Sequence, residues 1–281
     1  MSKVIITAAI CGAEVTRQQQ PALPIAAREL AAEARRAVEA GAAIIHLHVR
    51  RDDGSPTQDL ETFRHAMRAI RDVCDPLPII QPSTGGAVGM SADERLQPVR
   101  LNPEMATLDC GTVNFGEEIF VNDLPLMRHF AREMAARDIL PELECFDISH
   151  ILSAQRLWEE GLLNGHKHFD LVLGIPGALD ASAASLVEMV RRTGPDATWT
   201  AAAVGRHQTS VTLMALAMGG HVRVGFEDNI YLSKGVRADS NARFVERVVR
   251  IARETGREPA TPDEARAILG IAPDRADRLS L

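Results

Sequence analysis

The chain has 281 residues, close to the ~250 of an α/β barrel and beyond what a small disulfide-held module uses. Its hydrophobic fraction of 46% supports a sizeable core and excludes a disordered protein. With 31 basic and 38 acidic residues the formal charge is -7. That excludes a general nucleic-acid binder, which needs a basic face to displace phosphate counterions, and leaves room for a local basic pocket.

Cys11, Cys74, Cys110 and Cys145 are widely separated, with no Cys-x-x-Cys pair. This pattern suits free thiols in a reducing compartment rather than a disulfide framework or zinc finger. The start MSKVIITAAICG lacks the layout of a secretory signal, and no run approaches the ~20 apolar residues of a membrane span. The expected compartment is the cytoplasm.

In chain order, β-type runs fall at 3–9, 43–49, 77–82, 105–109, 139–145, 168–173, 198–204 and 221–226. Between them, helical periodicity predicts helices near 24–40, 59–74, 91–100, 124–136, 149–161, 181–192, 207–218 and 238–255. Gly41, Gly161 and Gly256 stand where helix C-caps belong. Eight strands, each followed by a helix, predict a (β/α)8 TIM barrel. The runner-up, a doubly wound open sheet, lacks its Gly-x-Gly-x-x-Gly fingerprint after the first strand. The expectation is one domain over 1–281, with a C-terminal extension after about 256 that adds a helix near 262–269 and then frays.

A barrel places its chemistry at the C-terminal ends of its strands. Those positions hold Glu14 and Arg17; His46, His48 and Arg50; Ser83, Thr84, Gly85 and Gly86; Thr107, Asp109 and Asn114; Glu144; Arg206; and Glu227, Asp228 and Asn229. The sharpest pattern is His46-Leu47-His48 in an apolar strand. Residues two apart share one face, about 6.6 Å apart along the chain, so both imidazoles can meet one metal ion. Glu227 at the end of the eighth strand is the natural third ligand of a His2Glu catalytic zinc site with an open position. His166-Lys167-His168 has the same spacing but precedes its strand, at the face that serves stability, and reads as structural or solvated.

The loop QPSTGGAVG reads equally as an anion cradle and as an ordinary glycine-rich turn. In RVGFEDN, Arg223 can hold Asp228 ionised as a base beside the metal, or the two can form a plain structural ion pair. A metal-dependent aldolase or hydratase without CoA, and a non-catalytic metal- or ligand-binding barrel, are the competing functional readings.

The stretches TAAICGAEVTRQQQPALPI, GAAIIHLHVR, DDGSPTQ, QPSTGGAVG, PEMATLDCGTVNFG, VLGIPG and GGHVRVGFEDN resemble the β-keto acid cleavage enzymes, from the first strand to the last helix. The resemblance implies a zinc-bearing barrel, a homotetramer, that converts a β-keto acid and acetyl-CoA to acetoacetate and a new acyl-CoA. It implies zinc on His46, His48 and Glu227, and a base dyad of Asp228 and Arg223. The substrate carboxylate would lie on Ser83, Thr107 and the Gly85-Gly86 backbone, with Glu14 and Glu144 at its far end. Glu14 points to a cationic substrate, first 3-keto-5-aminohexanoate of lysine degradation, then dehydrocarnitine-like compounds. Two departures touch substrate choice. Asp109 stands where Asn is expected, adding negative charge or staying neutral through hydrogen bonding, and GRHQTSV after the seventh strand is short and lacks an aromatic residue.

Overall fold

A computed structural model describes residues 2–281. Eight parallel strands form one sheet: β1 (Ile6–Ala9), β2 (Ile44–Leu47), β3 (Ile79–Pro82), β4 (Met105–Asp109), β5 (Leu140–Cys145), β6 (Lys167–Leu173), β7 (Ala197–Ala203) and β8 (His221–Val224). The hydrogen-bonded order runs β3-β2-β1-β8-β7-β6-β5-β4, so the sheet is nearly closed, with its seam between β3 and β4. Thr84 bridges the seam. It donates its backbone N–H to Thr107 Oγ1 at 3.0 Å and its hydroxyl to the Thr107 carbonyl at 2.7 Å.

Helices α1 (Ala27–Ala40), α2 (Leu60–Val73), α3 (Ala92–Arg95), α4 (Leu124–Ala135), α5 (Ile148–Glu159), α6 (Ala183–Thr193), α7 (Gln208–Ala217) and α8 (Ala242–Glu254) follow the strands in turn. Strand alternation sends Ile45, Leu47, Leu108, Leu143, Phe169 and Leu171 outward into the main core beneath the helices. In α8 the matching stripe is Phe244, Val245, Val248, Val249 and Ala252, each large member adding about 1.5–3 kcal/mol by burial.

Three expectations change. The helix expected over 91–100 stops at Arg95 and continues as a 3-10 turn, Gln97–Leu101. Pro98 brings no N–H and crowds the carbonyl four residues back, so the α-helix cannot run through it. The first strand divides at Ile5: Lys3–Val4 pairs with Glu258–Pro259, while Ile6–Ala9 enters the barrel. The tail does not fray. A further helix, α9 (Pro262–Leu269), lays Ala265 and Leu269 against Ile5, Ile44, Ile79 and Met105 and closes the N-terminal end of the barrel. Beyond it Arg275, buried, donates to the carbonyls of Asn102, Arg137 and Asp138. All four cysteines are free and buried. Among the described residues, no helix is long and apolar enough to cross a membrane.

Candidate active site

The strand register brings the two histidines to the C-terminal mouth. His46, next to last in β2, faces inward beside Gln81 on β3, and its Nδ1 lies 2.8 Å from Gln81 Oε1. An amide oxygen only accepts, so Nδ1 is the donor here, and in the neutral ring Nε2 carries the lone pair. The barrel strand ends at Leu47, and Val49–Arg50 turns into a short ribbon with Pro56–Thr57. His48, at the turn, keeps its ring 5.2 Å from that of His46.

Glu227 comes from the far side of the chain. Its backbone N–H donates to Ala9 O at 3.2 Å, so the end of β8 is stitched to β1, next to β2. Two glycines make this approach possible. Gly225 has φ +146°, and a Cβ there would stand 2.2 Å from Ala9 O. At Gly12, φ +70°, a Cβ would stand 2.6 Å from Glu227 Cγ. Only a residue without Cβ fits either position.

Glu227 Oε2 then lies 3.5 Å from His46 Nε2, and Oε1 lies 3.5 Å from His48 Nε2. The three candidate donor atoms fall within 4.8 Å of one another. Glu227 Oε2 is buried without a hydrogen-bond partner, although buried carboxylate oxygens are ordinarily paired. Burial raises the Glu227 carboxyl, but Arg223, then His46 and His48, outweigh it and hold it well below the usual carboxylate range. An ionised carboxylate with an unpartnered oxygen, beside a fixed imidazole lone pair, fits a divalent metal of the zinc class.

Arg223, inward on β8 and 3% exposed, is the hub of the charges. It grips Asp228 with two bonds, Nε to Oδ2 at 3.1 Å and Nη2 to Oδ1 at 3.0 Å. Nη2 also donates to Glu227 Oε1 at 2.6 Å, and Nη1 to Glu144 Oε1 and Asp170 Oδ2, both at 3.3 Å. Burial raises the Asp228 carboxyl above its ordinary value, against the pull of Arg223. A carboxylate held in that direction is a stronger base near neutral pH.

Above these groups opens a cavity of about 290 Å³. Val88, Phe115, Phe120, Phe146, Ile175 and Val204 supply much of its apolar wall. Glu14, His48, Ser83, Gly85, Gly86, Asp109, Glu144, Arg223, Glu227 and Asp228 all face it. His46 lies just beneath. Thr107 stands apart from the cavity: fully buried, its hydroxyl holds the backbone of Thr84 and so shapes the Ser83–Gly86 loop from behind. Arg17 is turned away, paired with Glu29.

Arg95 belongs to the site although no sequence pattern marks it. This 3% exposed residue reaches Asp109 Oδ2 at 3.1 Å and Asn122 Oδ1 at 2.6 Å. Its Nε donates to Thr84 O at 2.7 Å, and its guanidinium lies over the rings of Phe120 and Phe130. The charge of Asp109 is therefore met from within the protein. Gln58 holds the same loop through Ser83 O at 2.9 Å. Arg95 gives no spacing signal, since it sits in the short third helix and meets its partners on the loop after β3, the end of β4 and the segment before α4.

Fold and cavity together define an α/β-barrel enzyme with its site at the strands' C-terminal ends. The family follows from comparison with known proteins. A family model for the beta-keto acid cleavage enzyme matches residues 3–271, and the chain belongs to that family. It is 57% identical over 272 residues to a 3-keto-5-aminohexanoate cleavage enzyme of Fusobacterium nucleatum subsp. nucleatum, covering 96% of this chain and 99% of that one. It is 40% identical over 270 residues to a 3-oxoadipate:acetyl-CoA acetyltransferase of Cupriavidus necator, covering 95% and 94%. Among solved structures, a ternary complex of ObcA with a C4-CoA adduct and oxalate matches with a TM-score of 0.77 at 21% identity, over 89% of this chain and 68% of that one. At that identity the likeness speaks to the fold alone.

Proposed function

We propose that this enzyme condenses a cationic β-keto acid with acetyl-CoA and releases acetoacetate and a new acyl-CoA, using zinc held by His46, His48 and Glu227. The observation that carries the reading is the juxtaposition of that donor set with the Arg223–Asp228 pair at the floor of one cavity. Bound there, zinc supplies Lewis acidity toward the 3-keto group of the substrate, which makes a C2 proton easier to remove.

The remaining work falls to the chain. Asp228, held in the two-pronged grip of Arg223, takes the C2 proton. The carbanion attacks the thioester carbonyl of acetyl-CoA, forming a carbon–carbon bond and expelling CoA thiolate. The thiolate then adds to the original 3-keto carbon. Cleavage of the C2–C3 bond leaves the acyl-CoA and the acetoacetate carbanion, to which Asp228 returns its proton. The proton count closes, and no side-chain nucleophile is needed.

Ser83 and the Gly85-Gly86 backbone line the cavity where the substrate carboxylate would sit, and Thr107 supports them through Thr84. Glu14 is exposed at the rim of the cavity and has no ion pair among the described residues. With Arg95 answering Asp109, Glu14 is the free negative charge at the outer end, which supports a cationic substrate such as 3-keto-5-aminohexanoate. The proposed enzyme is a homotetramer in the cytoplasm, whose mass light scattering measures.

The test supplies purified protein with acetyl-CoA and cationic, neutral and anionic β-keto acids, with and without chelator, and monitors acetoacetate. The expected product forms only with acetyl-CoA, is abolished by chelation and is fastest with the cationic acid. Turnover of a neutral or anionic acid instead overturns the assignment of Glu14. No acetoacetate from zinc-loaded protein moves the reading to a CoA-independent aldolase. Asp228→Asn is expected to lower kcat about 10²–10⁴-fold with zinc still bound; unchanged turnover would remove the base role.

A further inference from the structure

Below the floor of the cavity the barrel interior is polar, where branched apolar chains ordinarily fill such layers. Thr7, Gln81, Glu142 and Thr200 point inward from β1, β3, β5 and β7, all buried. His168 on β6 meets Glu142 at 3.1 Å. Among these groups Asp170, also on β6, is fully buried and lies outside the residues that line the cavity. Its Oδ2 receives Arg223 Nη1, and its Oδ1 has no partner. A buried carboxyl oxygen without a partner in the protein costs stability, so packing alone does not account for an Asp at this position.

Arg223 Nη1 has two acceptors at equal distance, and they differ in freedom. Glu144 faces the cavity, where a substrate can draw its carboxyl away. Asp170 is sealed beneath and cannot turn toward substrate. We infer that Asp170 is a positioning residue for the reaction: it keeps Nη1 engaged from below, so the guanidinium stays aligned on Asp228 while Glu144 attends to substrate. This rests on the proposed base role of Asp228. Burial, then Glu142, push the Asp170 carboxyl well above its ordinary value. Arg223 takes from this position one acceptor oxygen, Oδ2 at 3.3 Å, and Asn presents an acceptor of the same reach.

The experiment compares Asp170→Ala, Asp170→Asn and Asp228→Asn as zinc-loaded full-length proteins, with 3-keto-5-aminohexanoate as the probe. It reads kcat, KM, zinc per chain, and exchange of the probe's C2 protons in D2O without acetyl-CoA, above the uncatalysed rate. Asp170→Ala is expected to lose about tenfold or more in kcat and in C2 exchange together, with KM within about threefold and zinc retained. Asp170→Asn is expected to stay within about threefold of the parent on every readout. If Asp170→Ala exchanges and turns over like the parent, or its loss simply follows lost zinc, the inference fails. A tenfold loss in Asp170→Asn also overturns it, even where the Ala variant does not fold. Parent-like exchange by Asp228→Asn would instead bring down the base role itself; exchange lost there but intact in Asp170→Ala refutes the positioning role alone.

Discussion

Gln81 has no chemistry of its own, yet it decides which face His46 presents. Its amide oxygen fixes the Nδ1 proton, and its Nε2 is left buried and unpartnered. Replacing it by leucine keeps the bulk and removes the acceptor, so the ring is free to turn or change tautomer. Gln81→Leu is expected to weaken zinc binding about 10–100-fold, as loss of such supporting partners does. Competition with a calibrated chelator measures it, and an unchanged dissociation constant would show that packing alone orients His46.

At the scale of elements, the ends of the strands set the distances that matter. Glu227 reaches the histidines because β8 and β1 meet backbone to backbone at Gly225. Alanine there sets a Cβ against the Ala9 carbonyl and strains a left-handed backbone, so the strand ends must part. Gly225→Ala is expected to destabilise the fold by well over ~1 kcal/mol and to reduce zinc per chain together with activity. Urea melts and metal analysis of the purified variant check this. A variant as stable as the parent and fully loaded would mean that the loop relaxes without moving Glu227. The loop after β3 is a contrasting case. It is steadied by side chains from other elements, Arg95, Gln58 and Thr107, rather than by its own glycines.

For the molecule as a whole, the polar interior links stability to pH. His221, at the start of β8, accepts the Ile5 N–H through Nδ1 at 3.0 Å, where the first strand divides. Burial, then repulsion from His168, Arg257 and His166, lowers its pKa from 6.5 to about 3. Below pH 6.5 the unfolded chain therefore takes up a proton that the folded chain refuses. This group favours folding most above that value, and the advantage falls as pH drops toward 3, by about 1.4 kcal/mol per unit. Denaturant melts between pH 7 and 5 should show a steeper loss for the parent than for His221→Gln. Parallel curves would mean that His221 titrates alike in both states.

Much of this protein is set by its sequence alone, because period and alternation are local. Eight apolar runs with helical segments between them dictate a parallel barrel, since each face must be buried. The His-x-His spacing marks both imidazoles as candidates, although only His46 lies in β2 and His48 reaches the same site from the turn beyond it. The stretches shared with the family place Glu227, Asp228 and Arg223 among the candidates. Other features arise only when distant strands meet. Thr107 looks into its neighbouring loop rather than the cavity, Arg95 neutralises Asp109, and Gln81 and Asp170 stand under the reacting groups. The helix expected near 262–269 forms as α9, and the residues beyond it bind where fraying was expected, because Arg275 reaches the carbonyls of Asn102, Arg137 and Asp138. Such contacts depend on the register and closure of the whole sheet, which no single window of sequence contains.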